Sequence, residues 1–204
     1  MAISVYQLKT KFQGILRPLT NFLAKIGVTA NQVTVFAFLL SVAAGAAMGI
    51  VSRTQPYILL LLPAVLFVRM ALNAIDGMLA REHDQKSKLG AILNELGDIL
   101  SDVVLYIPLF WVLGVNVWLN MLIALLYVIS ETCGIMGVQI GASRRYDGPM
   151  GKSDRAFWFS MLAITVLVCP EALQYLDYAI YFVIFLLVLT TFNRLKNALK
   201  EEVE

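Results

Sequence analysis

Apolar residues fill this chain in long stretches, broken where Pro, Gly and charged residues gather. The stretches fall near 32–52, 56–80, 89–113, 117–140, 155–172 and 176–195. A helix needs about 20 residues to cross ~30 Å of hydrocarbon, and each stretch is near that length. The pattern predicts an all-α integral membrane protein, a six-transmembrane-helix bundle forming one domain over residues 1–204. The period-two alternation of a membrane β-barrel is absent. From Ser4 to Lys25, Lys9, Lys11, Arg17 and Lys25 alternate at near-helical spacing with Leu8, Phe12, Ile15, Leu16, Leu19, Phe22 and Leu23. Residues 4–25 thus read as an amphipathic juxtamembrane helix lying along the membrane surface. No short apolar core with a small-residue cleavage site precedes it, so no removable signal peptide is expected. Glu201–Glu204 reads as a short frayed acidic end.

Composition agrees with the pattern. Hydrophobic residues make up 59% of the chain and charged residues 15%, with a mean hydropathy of +0.76. A soluble domain of this size carries more charge. The net charge of +2 conceals an asymmetry. Lys and Arg gather in the N-terminal helix, around Arg81, Lys86 and Lys88, around Arg144, Arg145, Lys152 and Arg155, and at Arg194, Lys196 and Lys200. The opposite breaks carry Arg53, no charge, and Glu171. By the positive-inside rule both termini and the two basic loops face the cytoplasm, as in a bacterial inner membrane. Such a face suits anionic headgroups or phosphates; no nucleic-acid motif is present, and no nucleic-acid partner is expected. Cys133 and Cys169 lack disulfide or zinc spacing and are expected as free thiols in the core.

Polar residues inside the second and third stretches change the picture. Arg69, Asn73, Asp76 and Ala80 are spaced 4, 3 and 4 apart, on one helical face. Asn94, Asp98 and Asp102, four apart, form a stripe on the next helix. A short link makes these helices antiparallel neighbours, so the two stripes face each other across a cleft. Charge at bilayer depth costs from roughly 3 to above 10 kcal/mol, which marks the cleft as a functional site. Carboxylate and amide oxygens suit hard cations such as Mg²⁺ or Mn²⁺. Gly77, Ala80 and Gly90 suit either close helix packing or a ligand lying against the backbone.

The spacing resembles the signature D-x2-D-G-x2-A-R-x8-G-x3-D-x3-D of the CDP-alcohol phosphotransferase (CDP-alcohol phosphatidyltransferase) family. Asp76, Gly77, Ala80, Arg81, Gly90 and Asp98 match it. The phrase GVTANQVT, Gly27 to Thr34, resembles the family's lead into its first span. The resemblance implies transfer of a substituted phosphate from a CDP-alcohol to an alcohol with release of CMP. CDP-diacylglycerol is the expected donor, with membrane lipids and a small alcohol acceptor as the other partners, and the enzyme is expected to be a homodimer. It further implies Asp98 as general base, Asp76 as principal metal ligand completed by Asn73, Asn94, Asp98 and Asp102, Gly77, Ala80 and Gly90 at the nucleotide, and Arg81 steadying it. Asn73 and Asn94 stand where the pattern has aspartates, and an amide offers a metal only one carbonyl oxygen. That departure leaves open a member that binds CDP-lipid without turnover.

Arg144, Arg145, Lys152 and Arg155 are candidates for binding a phosphate on the acceptor, although a cytoplasmic loop is basic for topology alone. Glu131 lies mid-span, where it either reaches the cavity or makes an interhelical hydrogen bond. His83 reads as solvated, and Tyr57, Trp111 and Trp118 as interfacial aromatics. A small cation or proton transporter is the alternative from another class, because buried carboxylates also build ion pathways. Acidic residues clustered toward one side, without repeated broken helices, argue against it.

Overall fold

A computed structural model describes residues 5–51 and 55–201, with side chains from Thr10 onward. Seven α-helices account for most of these residues: α1 Val5–Lys25, α2 Ala30–Val51, α3 Leu61–Glu82, α4 Lys88–Val112, α5 Val117–Met136, α6 Lys152–Val168 and α7 Leu176–Lys200. Short 3-10 turns precede α3 and α7 and follow α5, and no strand occurs among the described residues. Ser4, Arg53 and Glu202–Glu204 lie outside the described residues.

Helices stand at every expected stretch. Four segments are long and apolar enough to cross a membrane: Ala30–Val51, Pro56–Glu82, Val117–Ile140 and Pro170–Lys200. Among the described residues, α4 and α6 do not meet that measure. Lys88, Glu95, Asp98 and Asp102 interrupt α4, and α6 is 17 residues long. The chain is an all-α integral membrane protein; a count of six crossings goes beyond these four.

The chain forms two compact units, and α2, α3 and α4 contribute residues to each. The first contains the chain up to Ala43 and Ala64–Ser101. Its core joins Ala30, Val33, Ile75, Met78 and Leu79, with Leu16, Leu23, Val28 and Leu72 packed against them. The GVTANQVT phrase builds the corner between α1 and α2. Gly27, at φ +84°, ends α1: its N–H bonds Ala24 O at 3.1 Å and the next N–H, from Val28, bonds Leu23 O at 3.0 Å. Thr29 and Gln32 then open α2 with reciprocal bonds: Thr29 N–H to Gln32 Oε1 at 2.9 Å and Gln32 N–H to Thr29 Oγ1 at 3.3 Å. The apolar residues of α1 divide between this core and an exposed row of Ile15, Leu19 and Phe22, which exposed Ile26 extends just past the helix end.

The second unit contains Ala44–Pro63 and the chain from Asp102 onward. Tyr106, Phe110, Tyr127 and Phe159 meet edge to face in its core, with centroids 4.7–6.0 Å apart. Gly45 lets α2 approach α4 there: a Cβ at position 45 would lie 1.9 Å from the Val104 carbonyl oxygen. Cys133 is buried as expected, but Cys169 is exposed just past the end of α6, beside Glu171. Glu201 is no frayed end. It accepts from Ser143 N–H at 3.0 Å and Ser143 Oγ at 2.9 Å, and it pairs with Arg145.

Candidate active site

A cavity of about 740 Å³ opens in the first unit. Asn73, Asp76, Gly77, Ala80 and Arg81 of α3 line it, facing Gly90, Ala91 and Asn94 of α4. Ala30, Asn31 and Thr34 of α2 and the link Gln85–Lys88 complete the wall. Seven of the residues singled out by spacing therefore share one cavity: Asn73, Asp76, Gly77, Ala80, Arg81, Gly90 and Asn94.

Two helix starts meet this wall. Ser87 caps α4, its Oγ accepting from Gly90 N–H at 2.9 Å. Gln85 reaches from the link to α2, where its Oε1 accepts from Ala30 N–H at 2.7 Å. Helix starts carry partial positive charge, and Arg81, Lys86 and Lys88 stand beside them, so this end of the cavity favours phosphate oxygens. Gly77 lets the Arg81 guanidinium fold against α3: a Cβ there would meet Arg81 Nη2 at 3.0 Å. At Gly90 a Cβ would meet Asn31 Oδ1 at 2.7 Å.

Asp76 lines the cavity, whereas Asp98 is absent from its lining and is partly exposed. Asp76 is buried, and its Oδ2 accepts from Thr34 Oγ at 2.8 Å. Asp98 accepts from Asn73 Nδ2 at 3.3 Å and stands 3.5 Å from Arg69 Nη2. Among the described residues no three His, Cys, Asp or Glu side chains form a group able to hold a metal ion. At the motif positions of α3 and α4 in the first unit the donors are two carboxylates, Asp76 and Asp98, and two amides, Asn73 and Asn94. All offer hard oxygen, and Mg²⁺ is commonly held by one or two carboxylates together with substrate phosphates, so this set fits such an ion.

Asp102 takes a different partner. Arg155 grips its Oδ2 through Nε at 3.0 Å and Nη2 at 2.7 Å. Residues four apart on a helix share a face but are about 6 Å apart along its axis, so the Asn94, Asp98, Asp102 stripe is too long for one ion's shell.

The Asp102 pair belongs to a network within the second unit. Glu131 of α5 meets Arg144, Arg155 and Arg194 at 3.0–3.2 Å. Arg155 also lies 5.6 Å from the Tyr127 ring centroid. Of the other residues considered for an acceptor phosphate, Arg145 pairs with Asp147 and Glu201, and Lys152 opens α6. The Arg145 bond holds the Asp147 carboxyl below its ordinary range, and hydrogen bonds from Ser143, aided by Arg145, do the same for Glu201.

Thr34, Asn31, Ser87 and Gln85 escaped the reading of the sequence as site residues. The only signal for Thr34 and Asn31 was the helix-start phrase containing them, which placed both on the first turns of α2. Arg194 counted only as a tail charge, yet it is 1% exposed.

Comparison with known proteins adds four matches. A family model described as "CDP-alcohol phosphatidyltransferase" matches residues 27–192. The Escherichia coli K12 inner membrane protein YnbA is 42% identical over 197 residues, 97% of each chain. The archaetidylinositol phosphate synthase of Pyrococcus horikoshii is 31% identical over 96 residues, 47% of this chain and 48% of that one. Among solved structures, Mycobacterium tuberculosis phosphatidylinositol phosphate synthase (PgsA1), with CDP-DAG bound, shares the fold. Its TM-score is 0.73 at 20% identity, covering 89% of this chain and 92% of that chain.

Proposed function

Because the chain belongs to the CDP-alcohol phosphatidyltransferase family, we propose that it moves a phosphatidyl group from CDP-diacylglycerol, or another CDP-alcohol, to a small alcohol and releases CMP. One observation carries the reading: the motif residues Asp76, Gly77, Ala80, Arg81 and Gly90 line a single cavity with two helix starts at its wall. The PgsA1 structure, solved with CDP-DAG, supports the choice of donor.

In this reading the cytidine and its phosphates lie along Gly77, Ala80 and Gly90, where absent or small side chains let them approach the backbone. Arg81, Lys86 and Lys88 balance the pyrophosphate charge. Asp98 takes the proton of the acceptor hydroxyl, which a carboxylate held by Arg69 and Asn73 is oriented to do. The alcohol oxygen bonds to the diacylglycerol-bearing phosphorus; the bond from that phosphorus to the bridging oxygen breaks, and CMP leaves with the electron pair. Asp76, Asp98 and the carbonyl oxygens of Asn73 and Asn94 would hold Mg²⁺ or Mn²⁺. Held there, such an ion would supply positive charge against the pyrophosphate and the leaving CMP. Asp102 positions Arg155.

The reading places α2 to α7 across a bacterial inner membrane, with both termini and the cavity mouth on the cytoplasmic side, in a homodimer. The basic loops and the inner-membrane relative support the orientation and location. Asn73 and Asn94 favour one rival, a member that binds CDP-lipid without turnover.

The test is CMP release by purified protein in liposomes with CDP-diacylglycerol, Mg²⁺ or Mn²⁺ and a panel of alcohols. Release should depend on metal and on one acceptor, and Asp98→Asn should lower it at least about 100-fold with the fold intact. CDP-lipid binding without release from any acceptor would establish the inactive binder instead.

A further inference from the structure

We infer that Glu131 is a built-in anion that fills an arginine site otherwise suited to a phosphate, so that the acceptor alcohol carries no phosphate group. The inference rests on the phosphatidyl-transfer reading above and names the class of its acceptor.

Three guanidiniums converge on one carboxylate. Glu131 Oε1 accepts from Arg155 Nη2 at 3.0 Å and Arg194 Nη2 at 3.2 Å. Its Oε2 accepts from Arg144 Nη2 at 3.0 Å and stands 3.2 Å from Arg194 Nη1. Guanidinium forks around an oxyanion are how arginine takes up phosphate. Here the oxyanion is covalently part of α5 and is 6% exposed, while Arg155 and Arg194 are each 1% exposed.

The remaining donors also have protein partners. Arg155 bonds Asp102 through Nε and Nη2 and Met150 O through Nη1 at 3.0 Å. Arg194 bonds Ser130 O at 2.7 Å and Asp147 O at 3.2 Å. A phosphate entering this cluster would have to displace Glu131, leaving a carboxylate buried without its cations, which is the costly half of a broken ion pair.

Charge points the same way. Three guanidiniums against the Asp102 and Glu131 carboxylates leave one positive charge. A phosphomonoester brings about −1.5 to −2, which would turn a buried cluster negative. With the Glu131 charge removed the cluster carries two positive charges, matching a phosphomonoester dianion. An alcohol without phosphate meets neither the displacement nor the imbalance.

The test has two arms. In the first, CMP release from CDP-diacylglycerol is compared for glycerol against glycerol phosphate and for inositol against inositol phosphate. The wild type should favour the phosphate-free member of the productive pair by at least about tenfold in kcat/KM, and Glu131→Ala should shift that ratio toward the phosphorylated one. In the second arm, with the nucleotide cavity filled by saturating CDP, inorganic phosphate should leave the thermal midpoint of the wild type in detergent unchanged and raise that of Glu131→Ala. Equal or better use of a phosphorylated acceptor by the wild type overturns the inference, as does stabilisation of the wild type by phosphate. Both wild-type measurements stand even where the variant fails to fold. Absence of release with every acceptor overturns the transferase reading instead, and the phosphate arm then decides alone whether Glu131 fills the site.

Discussion

Thr34 of α2 donates a 2.8 Å hydrogen bond to the buried Asp76 carboxylate of α3. The hydroxyl also lies 3.1 Å from Ala30 O, but one proton serves one acceptor at a time, and the shorter contact is to Asp76. The bond fixes which way Asp76 presents its other oxygen to the cavity. Thr34→Val keeps the shape and removes the donor. Loss of a group that orients a metal-binding carboxylate commonly costs about 10- to 100-fold in metal affinity or activity, so Thr34→Val should raise the Mg²⁺ concentration for half-maximal CMP release by about tenfold. Thr34→Ser should restore it. An unchanged metal requirement in Thr34→Val would remove Thr34 from the site.

Asn73 donates to Asp98, and its family counterpart is an acid. Changing Asn73 and Asn94 together to Asp gives two more carboxylates to the cleft. If those positions bind the ion, the double variant stays active and binds Mg²⁺ about tenfold more tightly, because affinity follows ligand charge. Lost activity in a folded double variant would show that a neutral amide beside Asp98 is required, since paired carboxylates repel. Titration of metal into the detergent-purified variant, beside CMP release, separates these results.

Two glycines should respond in opposite directions to alanine. A Cβ at Gly45 would fall 1.9 Å from a backbone carbonyl of α4, an atom that does not yield cheaply. Gly45→Ala should therefore lose about 1–3 kcal/mol or more, read as a lower thermal midpoint. Gly14 in α1 has nothing within 4 Å of the same added atom, and Gly14→Ala should gain about 0.5–1 kcal/mol through reduced backbone entropy. Equal effects would mean that the α2–α4 approach at Gly45 is looser than described.

Acid should loosen the end of α7. Asp147 and Glu201 both titrate below their ordinary values of 3.8 and 4.5. A depressed folded-state pKa gives stability that is present above the ordinary value and lost as pH falls through the folded one. The bonds from Ser143 and Arg145 to these carboxylates should thus hold at neutral pH and fail progressively below about pH 4.5. The protection of the Ser143 amide, whose N–H bonds Glu201, should fall over that window once exchange is corrected for its intrinsic pH dependence, and Glu201→Gln should show low protection already at neutral pH. Protection independent of pH in the wild type would sink this account.

Helix positions were legible because Gly, Pro and charge clusters punctuate apolar runs, and runs of that length form helices in lipid. The α3 and α4 motif residues were legible because helical spacing places them on one face each. The network around Glu131 was not. A single acid in an apolar helix has no periodic partner, and its cations come from residues 144, 155 and 194, which only tertiary packing brings together. Glu201 looked like a free end for the same reason: its partners, Ser143 and Arg145, lie more than fifty residues away.

Asp102 tests how far spacing alone can be taken. By position it continues the Asn94, Asp98 stripe and reads as a metal ligand; in the structure its Oδ2 receives two bonds from a guanidinium, with both side chains 1% exposed. Removing one partner of such a buried pair leaves the other charge uncompensated, at a cost of about 3–5 kcal/mol. Asp102→Asn should therefore lower the thermal midpoint markedly, with the Mg²⁺ concentration for half-maximal CMP release unchanged in the protein that remains folded. A metal ligand would behave in the reverse way, with a raised metal requirement and a smaller loss of stability. The double variant Asp102→Asn with Arg155→Met separates the two roles further. Where the pair is structural, removing both charges should recover part of the lost stability, because replacing a buried pair by apolar bulk is often neutral. Where Asp102 binds the ion, the second change restores nothing.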